Sequence, residues 1–283
     1  MQSNLWYFFV YAFLGWCAEV VFAALKSGRF INRGFLNGPV CPIYGFGLVS
    51  VLVLLRPFQH NLLWLYLGSV ILTTAIELLT GFVMEKLFHH RWWDYSKMPL
   101  NIGGYVCPLF SLLWGVACIL IVDVLQPRIA SMIALIPREW SLILLCLFGT
   151  AFLVDVLVAV ATVSKLNHRL KQIDDVSAAM RLLSDRLGAT MVDGALAIKA
   201  MDEQACDELV AARERTRDAL RDADESTRAE LKARYNSLVE RLELGQRRIL
   251  MAFPTLRSLQ YPTAMDAIRQ KLIHLWKNKN KRG

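Results

Sequence analysis

Charge is scarce in the first part of this chain: residues 1–164 hold 9 Lys or Arg and 7 Asp or Glu, against 23 and 17 in residues 165–283. The chain is 55% hydrophobic with a mean hydropathy of +0.37, so this stretch is too apolar for a soluble surface and the bilayer is its natural solvent. Close-spaced cysteine pairs are also missing. The six cysteines lack zinc-site spacing and are too sparse for a disulfide scaffold, so a reduced, cytoplasm-facing protein is expected. No basic residue precedes the first apolar run, which is longer than a signal peptide's core and reads as a retained helix. No Gly-x4-Gly-Lys-Ser/Thr loop is present to cradle nucleotide phosphates, which excludes a P-loop ATPase within the chain.

What is present is a series of apolar runs, each long enough to be a membrane span at roughly 20 residues apiece. Spans are expected near Leu5 to Leu25, Pro39 to Leu55, Leu62 to Met84, Tyr105 to Leu125 and Leu142 to Ser164. Ile129 to Ile136, after Pro127 and Arg128, is too short to cross and reads as an interfacial segment. The expected fold is all-α: a polytopic bundle of about five transmembrane helices over residues 1–164, followed by a cytoplasmic helical tail over 165–283. With the tail inside, nine basic loop residues (Lys26, Arg29, Arg33, Lys86, Arg91, Lys97, Lys165, Arg169, Lys171) lie inside and three (Arg56, Arg128, Arg138) outside. The bias predicts a multi-pass protein of the cell (inner) membrane with its N-terminus outside.

The two loops expected on the cytoplasmic side repeat each other. Leu36-Asn37-Gly38-Pro39-Val40-Cys41-Pro42 precedes the second span, and Leu100-Asn101-Ile102-Gly103-Gly104-Tyr105-Val106-Cys107-Pro108 precedes the fourth. Upstream, Glu19 in the first span matches Glu77 in the third. Two like-oriented helix pairs plus one helix follow, with a pseudo-twofold along the membrane normal. Glu19 lies six residues before Leu25 and Glu77 seven before Met84, so both are expected about 10 Å below the helix ends.

A carboxylate in hydrocarbon usually faces the bundle interior or a watery cavity, which makes Glu19 and Glu77 candidate binding residues for a proton or cation. Asp155 could join them from the fifth span, or each could simply bond a neighbouring helix. Pro42 and Pro108 are expected to start helices. Cys41 and Cys107 would then sit at positive dipole ends, where a thiol's pKa falls and free amides could hold an anionic group such as a phosphate or carboxylate; Asn37 and Asn101 could reach a ligand there, and Tyr44 is a further candidate. The glycines read as turn residues. Trp93, Asp94, Tyr95 and Ser96 form a polar, aromatic loop suited to interfacial anchoring or to a lid. The adjacent His89 and His90 lack metal-ligand spacing, so no metal and no cofactor are expected.

The tail turns to helical periodicity, with Leu166, Leu170, Ile173, Met180, Leu183 and Leu187 forming a stripe that Gly188 and Gly194 interrupt. A second long helix is expected from about Ala195 to Leu250, with Asp224–Arg228 and Glu230–Arg234 paired. The pair reads as a hairpin or coiled coil for self-association. Lys271, Lys277, Lys279, Lys281 and Arg282 close the chain without an acidic residue among them. Membrane lipid, not nucleic acid, is their expected partner.

These residues resemble a family described as putative ABC-transporter type IV, or CmpB-like permeases. The likeness runs through Gly15-Trp16-Cys17-Ala18-Glu19, Arg33-Gly34-Phe35-Leu36-Asn37-Gly38-Pro39, Cys41-Pro42-Ile43-Tyr44-Gly45, Trp93-Asp94-Tyr95-Ser96, Pro99, Asn101 and Cys107-Pro108 to Trp114-Gly115. The tail segment Ile249-Leu250-Met251-Ala252-Phe253-Pro254 is also similar. The resemblance implies a transport role beside a separate ATPase chain, and names no catalytic residue or substrate. The competing readings are an embedded enzyme acting on a lipid or lipid-linked substrate, and a sensor or scaffold working through the tail.

Overall fold

The computed structural model describes residues 2–199 and 225–280. In order, its elements are α1 (Gln2–Ser27), α2 (Pro42–Leu54), a 3-10 turn (Arg56–Phe58), α3 (Leu62–Phe88), β1 (His90–Arg91), α4 (Pro108–Leu120), a π-turn (Ile121–Leu125), α5 (Gln126–Ala134) and α6 (Arg138–Lys199). A helix over residues 225–240, α7 here, precedes α8 (Leu244–Ala252), β2 (Arg257–Ser258) and α9 (Pro262–Asn280). Four helices, Gln2–Ser27, Leu62–Phe88, Pro108–Ala134 and Arg138–Asp185, are long and apolar enough to cross a membrane. Ile71 and Leu157, each 70% exposed, point outward from them, an arrangement that suits hydrocarbon and not water. The fold is an all-α membrane-type bundle.

Two ends of this bundle can be told apart. At one, Gln2 and Trp6 of α1 both donate to the Ser141 hydroxyl at the start of α6, at 2.8 and 2.7 Å. At the other, Phe35 beyond α1 packs on Phe88, in the last turn of α3, and on Trp92, with ring centroids 5.6 and 5.2 Å apart. Residues 42–54 run antiparallel to α1, with Tyr44 against Gly15 and Gly45 against Phe8, and Leu55 after them lies on Gly68 near the start of α3; α1 and α3 therefore run in the same direction, towards what we call the loop end.

The second span is shorter than the sequence suggests. Helix α2 has 13 residues, about 20 Å, against a hydrocarbon core of about 30 Å. The cause is where it starts. The backbone N–H of Cys41 donates to the Ala12 carbonyl at 2.9 Å, so Pro42 begins α2 beside the middle of α1, about 22 Å short of Ser27. The loop between them folds back along α1, with Trp16 Nε1 donating to Asn32 Oδ1 at 2.7 Å. The α3–α4 pair is built alike: Gly115 of α4 lies against Tyr66 and Val70 of α3, so Pro108 again starts partway along its partner. In the first pair the half-length α2 is completed by the folded-back loop, whereas in the second the helix begun at Pro108 runs on to Ala134.

The interfacial segment expected at Ile129 to Ile136 belongs instead to the fourth helix, which runs from Pro108 to Ala134. A proline normally clashes with the carbonyl four residues earlier. Here the π-turn, in which Gln126 N–H reaches back to the Ile121 carbonyl, widens the helix just before Pro127 and carries it through. Tyr11 fixes this point by donating to Gln126 Oε1. Around it Leu48, Val51, Leu52, Leu65, Cys118, Val122 and Ile129 form a buried apolar cluster.

The chain divides into two compact units, Met1–Lys165 with Glu243–Gln260, and Leu166–Leu242 with Tyr261–Gly283. Residues 243–260, read from sequence as tail, thus pack in the first unit. In the second, Leu166, Leu170 and Ile173 are fully buried, and Lys271 pairs with Glu240 at 2.9 Å. Helix α6 passes Gly188 and Gly194 without a break, since one glycine costs a helix only about 1 kcal/mol. The long helix expected to reach Leu250 stops at residue 240, and Glu243 and Gln246 form a capping box that starts α8 anew. Asp224, of the expected Asp224–Arg228 pair, lies outside the described residues.

Candidate functional site

The first half of the site lies between α1 and α2. Gly15 has no side chain to hold its neighbour off: a Cβ there would meet Tyr44 Cγ at 2.2 Å, so the ring lies directly on the α1 backbone. From that seat the Tyr44 hydroxyl donates to Glu19 Oε1 at 2.7 Å. The other Glu19 oxygen faces Arg33 Nη1 at 3.5 Å, and the guanidinium also lies 5.4 Å from the Phe22 ring centroid. Both oxygens of Glu19 are engaged and its charge is balanced.

The second half lies between α3 and α4. The Tyr95 hydroxyl donates to Glu77 Oε1 at 3.3 Å, and its ring stacks on Phe110, in the first turn of α4, at 5.0 Å. Glu77 Oε2 is buried with no hydrogen-bond partner, and no Lys, Arg or His among the described residues forms an ion pair with this carboxylate. The glutamates sit 8 and 11 residues before the helix ends at Ser27 and Phe88, about 12 and 16 Å deep. This exceeds the sequence estimate because both helices run past their expected ends.

Burial first, then the charge of Glu77 and the hydrogen bond to it, then Cys107 and Glu19, hold the Tyr95 phenol protonated, above the ordinary tyrosine range. Tyr44 in turn meets Trp114 of α4 edge-on at 5.4 Å. Helices α2 and α4 are therefore in contact, and each half carries one tyrosine–glutamate pair.

Cys41 and Cys107 are buried in extended backbone at the two helix N-caps, each followed by proline.

The remaining candidates hold the loops in shape. Asp155 Oδ1 accepts from the Asn37 backbone N–H at 3.0 Å and from Asn37 Nδ2 at 2.8 Å, and Oδ2 accepts from Gly38 N–H at 2.7 Å. It anchors the first loop to α6 and does not join the glutamates. In the second loop Asp94 accepts from Ser96 N–H at 2.9 Å and faces Arg91 at 3.7 Å. Asn101 donates to the Met98 carbonyl at 2.8 Å and accepts from Gly104 N–H at 3.0 Å. Trp93 Nε1 donates to the Tyr105 carbonyl at 2.8 Å. Gly103 and Gly104 take φ of +60° and +75°, the left-handed turn that favours glycine.

Sequence reasoning left two arginines off its candidate list. Arg33, read only as a loop charge, is the counter-ion of Glu19. Arg248 of α8 donates to the Gly34 and Phe35 carbonyls at 2.9 and 3.0 Å, and burial holds its guanidinium pKa below the ordinary value while Asp155 partly offsets this. The available signal was the similarity of Ile249 to Pro254, which set the residues beside Arg248 apart from the rest of the tail. Among the described residues no group of three or more His, Cys, Asp or Glu is placed to hold a metal ion.

A family model described as putative ABC-transporter type IV matches residues 6–160, which covers every residue of the two tyrosine–glutamate pairs. Neither the curated proteins nor the solved structures provide a match to the chain.

Proposed function

We propose, from the premise that the chain belongs to the putative ABC-transporter type IV family, that it is the membrane-embedded component of a transport system and binds a positively charged group between its two helix pairs. The observation that carries this reading is the unequal state of two like carboxylates. Glu19 is neutralised by Arg33. Glu77 has one tyrosine partner and a buried free oxygen. An unpaired carboxylate in a bundle is costly and retained where it works, and the vacant oxygen can accept a proton, a monovalent cation or a protonated amine. The half-length α2 and the loop folded back beside it support the same position, because irregular backbone at membrane depth is tolerated only where protein buries it or a cavity lies beside it.

The family supports a separate ATPase chain as partner and lipid as surroundings. The basic-residue bias supports a cell-membrane protein with the loop end and tail on the cytoplasmic face, and the helical tail supports self-association. Full-length protein in liposomes, assayed with a pH-sensitive dye and with radiolabelled sodium and potassium, tests the site. Flux of one of these cations should fall at least tenfold in Glu77→Gln. An absence of any cation flux, or flux indifferent to Glu77→Gln combined with Glu19→Gln, refutes the reading.

A further inference from the structure

Residues 243–260 return to the first unit after a long excursion of the chain, and they touch both loops that flank the tyrosine–glutamate pairs. On the first loop, Arg248 holds the carbonyls of Gly34 and Phe35. On the second, β2 pairs antiparallel with β1, His90 opposite Ser258 and Arg91 opposite Arg257. Leu259 N–H donates to the His89 carbonyl at 3.0 Å, Thr255 Oγ1 to the Trp92 carbonyl at 3.4 Å, and Phe253 meets Trp92 edge-on at 5.0 Å. Trp92 also packs on Phe35 of the first loop at 5.2 Å. A single aromatic run, Phe253 to Trp92 to Phe35, thus spans segment, second loop and first loop.

The contact is built as an interior. Ile249 and Leu256 are fully buried and Leu250, Ala252 and Ser258 nearly so, and Gly245 lets α8 press on Thr162, where a Cβ would come within 3.0 Å. At its entry Glu243 faces Lys165 of α6 at 3.5 Å. From this we infer that residues 243–260 are a latch that ties the loops of the two halves together, so that they are held or released as one. The physical reason is shared support. Each loop carries polar backbone groups that this segment satisfies, and Trp92 is packed from both sides, so loosening either end removes packing from the other.

Hydrogen exchange measured on the full-length protein in lipid nanodiscs tests this without reference to anything transported. Arg248→Ala removes contacts to the first loop alone. The latch predicts at least tenfold faster exchange both at residues 34–40 and at residues 89–92. Phe253→Ala should do the same in reverse, starting from the second loop. A cross-strand disulfide between His90→Cys and Ser258→Cys, which are paired positions, should restore protection at both. Unchanged exchange at the Trp6–Ser141 end shows that the bundle is folded in each variant. If that end also loosens, the milder Thr255→Val, which removes one hydrogen bond, takes the place of the failing variant. Exchange that rises only in the loop directly touched, or in neither, overturns the inference.

Discussion

At the scale of single residues, the same side-chain chemistry serves opposite ends according to what surrounds it. Three carboxylates within expected spans were candidates from sequence, and depth alone could not separate them. Asp155 takes three hydrogen bonds from one loop, Glu19 takes a tyrosine and an arginine, and only Glu77 keeps a buried oxygen free. His90 gives this scale a pH signature. Its ring is fully buried with neither nitrogen hydrogen-bonded, and burial brings its pKa from 6.5 down to about 4. Between those values the unfolded chain binds the extra proton and the folded chain does not, so stability is complete above 6.5 and is lost as pH falls towards 4. The loss approaches roughly 3 kcal/mol, and His90→Leu should abolish it. Thermal unfolding in detergent from pH 7.5 to 4 checks this, and a His90→Leu protein with the acid sensitivity of the parent contradicts it.

At the scale of elements, the close approach of α1 and α2 depends on missing side chains. A Cβ at Gly15 would overlap three Tyr44 atoms, the farthest at 2.7 Å, whereas one at Gly47 would meet nothing within 4 Å. Gly15→Ala should therefore force the pair apart, at a cost of about 1–3 kcal/mol, and pull Tyr44 off Glu19. Gly47→Ala should be silent. Unfolding temperature and cation flux measured on both variants check the pair, and an unaffected Gly15→Ala protein would show that the helices do not rely on this seat. The helices were legible from sequence because apolar runs and starting prolines act locally, and Pro42 and Pro108 do stand at the first positions of α2 and α4. The depth of those starts was not legible. It is set by contacts such as Cys41 to Ala12, between residues 29 apart in the chain, and hydropathy cannot tell a folded-back loop from the next helix. The passage through Pro127 was hidden for a related reason, since a π-turn has no composition of its own.

At the scale of the whole first unit, the number of crossings follows from which ends meet, and not from helix lengths. Among the described residues four helices are long and apolar enough to cross a membrane, yet α1 and α3 both finish at the loop end, so the chain must travel back between them. The 13 residues of α2 with the folded-back loop make that passage. The fourth helix runs from Pro108, partway along α3, towards the far end, and α6 starts there beside Trp6 and returns to hold the first loop through Asp155. Five passages result, with the start of α1 and residue 165 at opposite ends. In a bilayer this predicts that cysteines placed at Gln59 and Gln2 react with an impermeant maleimide from one side, and cysteines at Lys97 and Lys165 from the other. The background should carry serine at the native cysteines, and sealed vesicles of both orientations give the two readings. On the proposed orientation the Lys97 and Lys165 side is the cytoplasmic one. Gln59 labelled from the same side as Lys97 would mean that α2 dips and returns, and α2 would then line no path through the membrane.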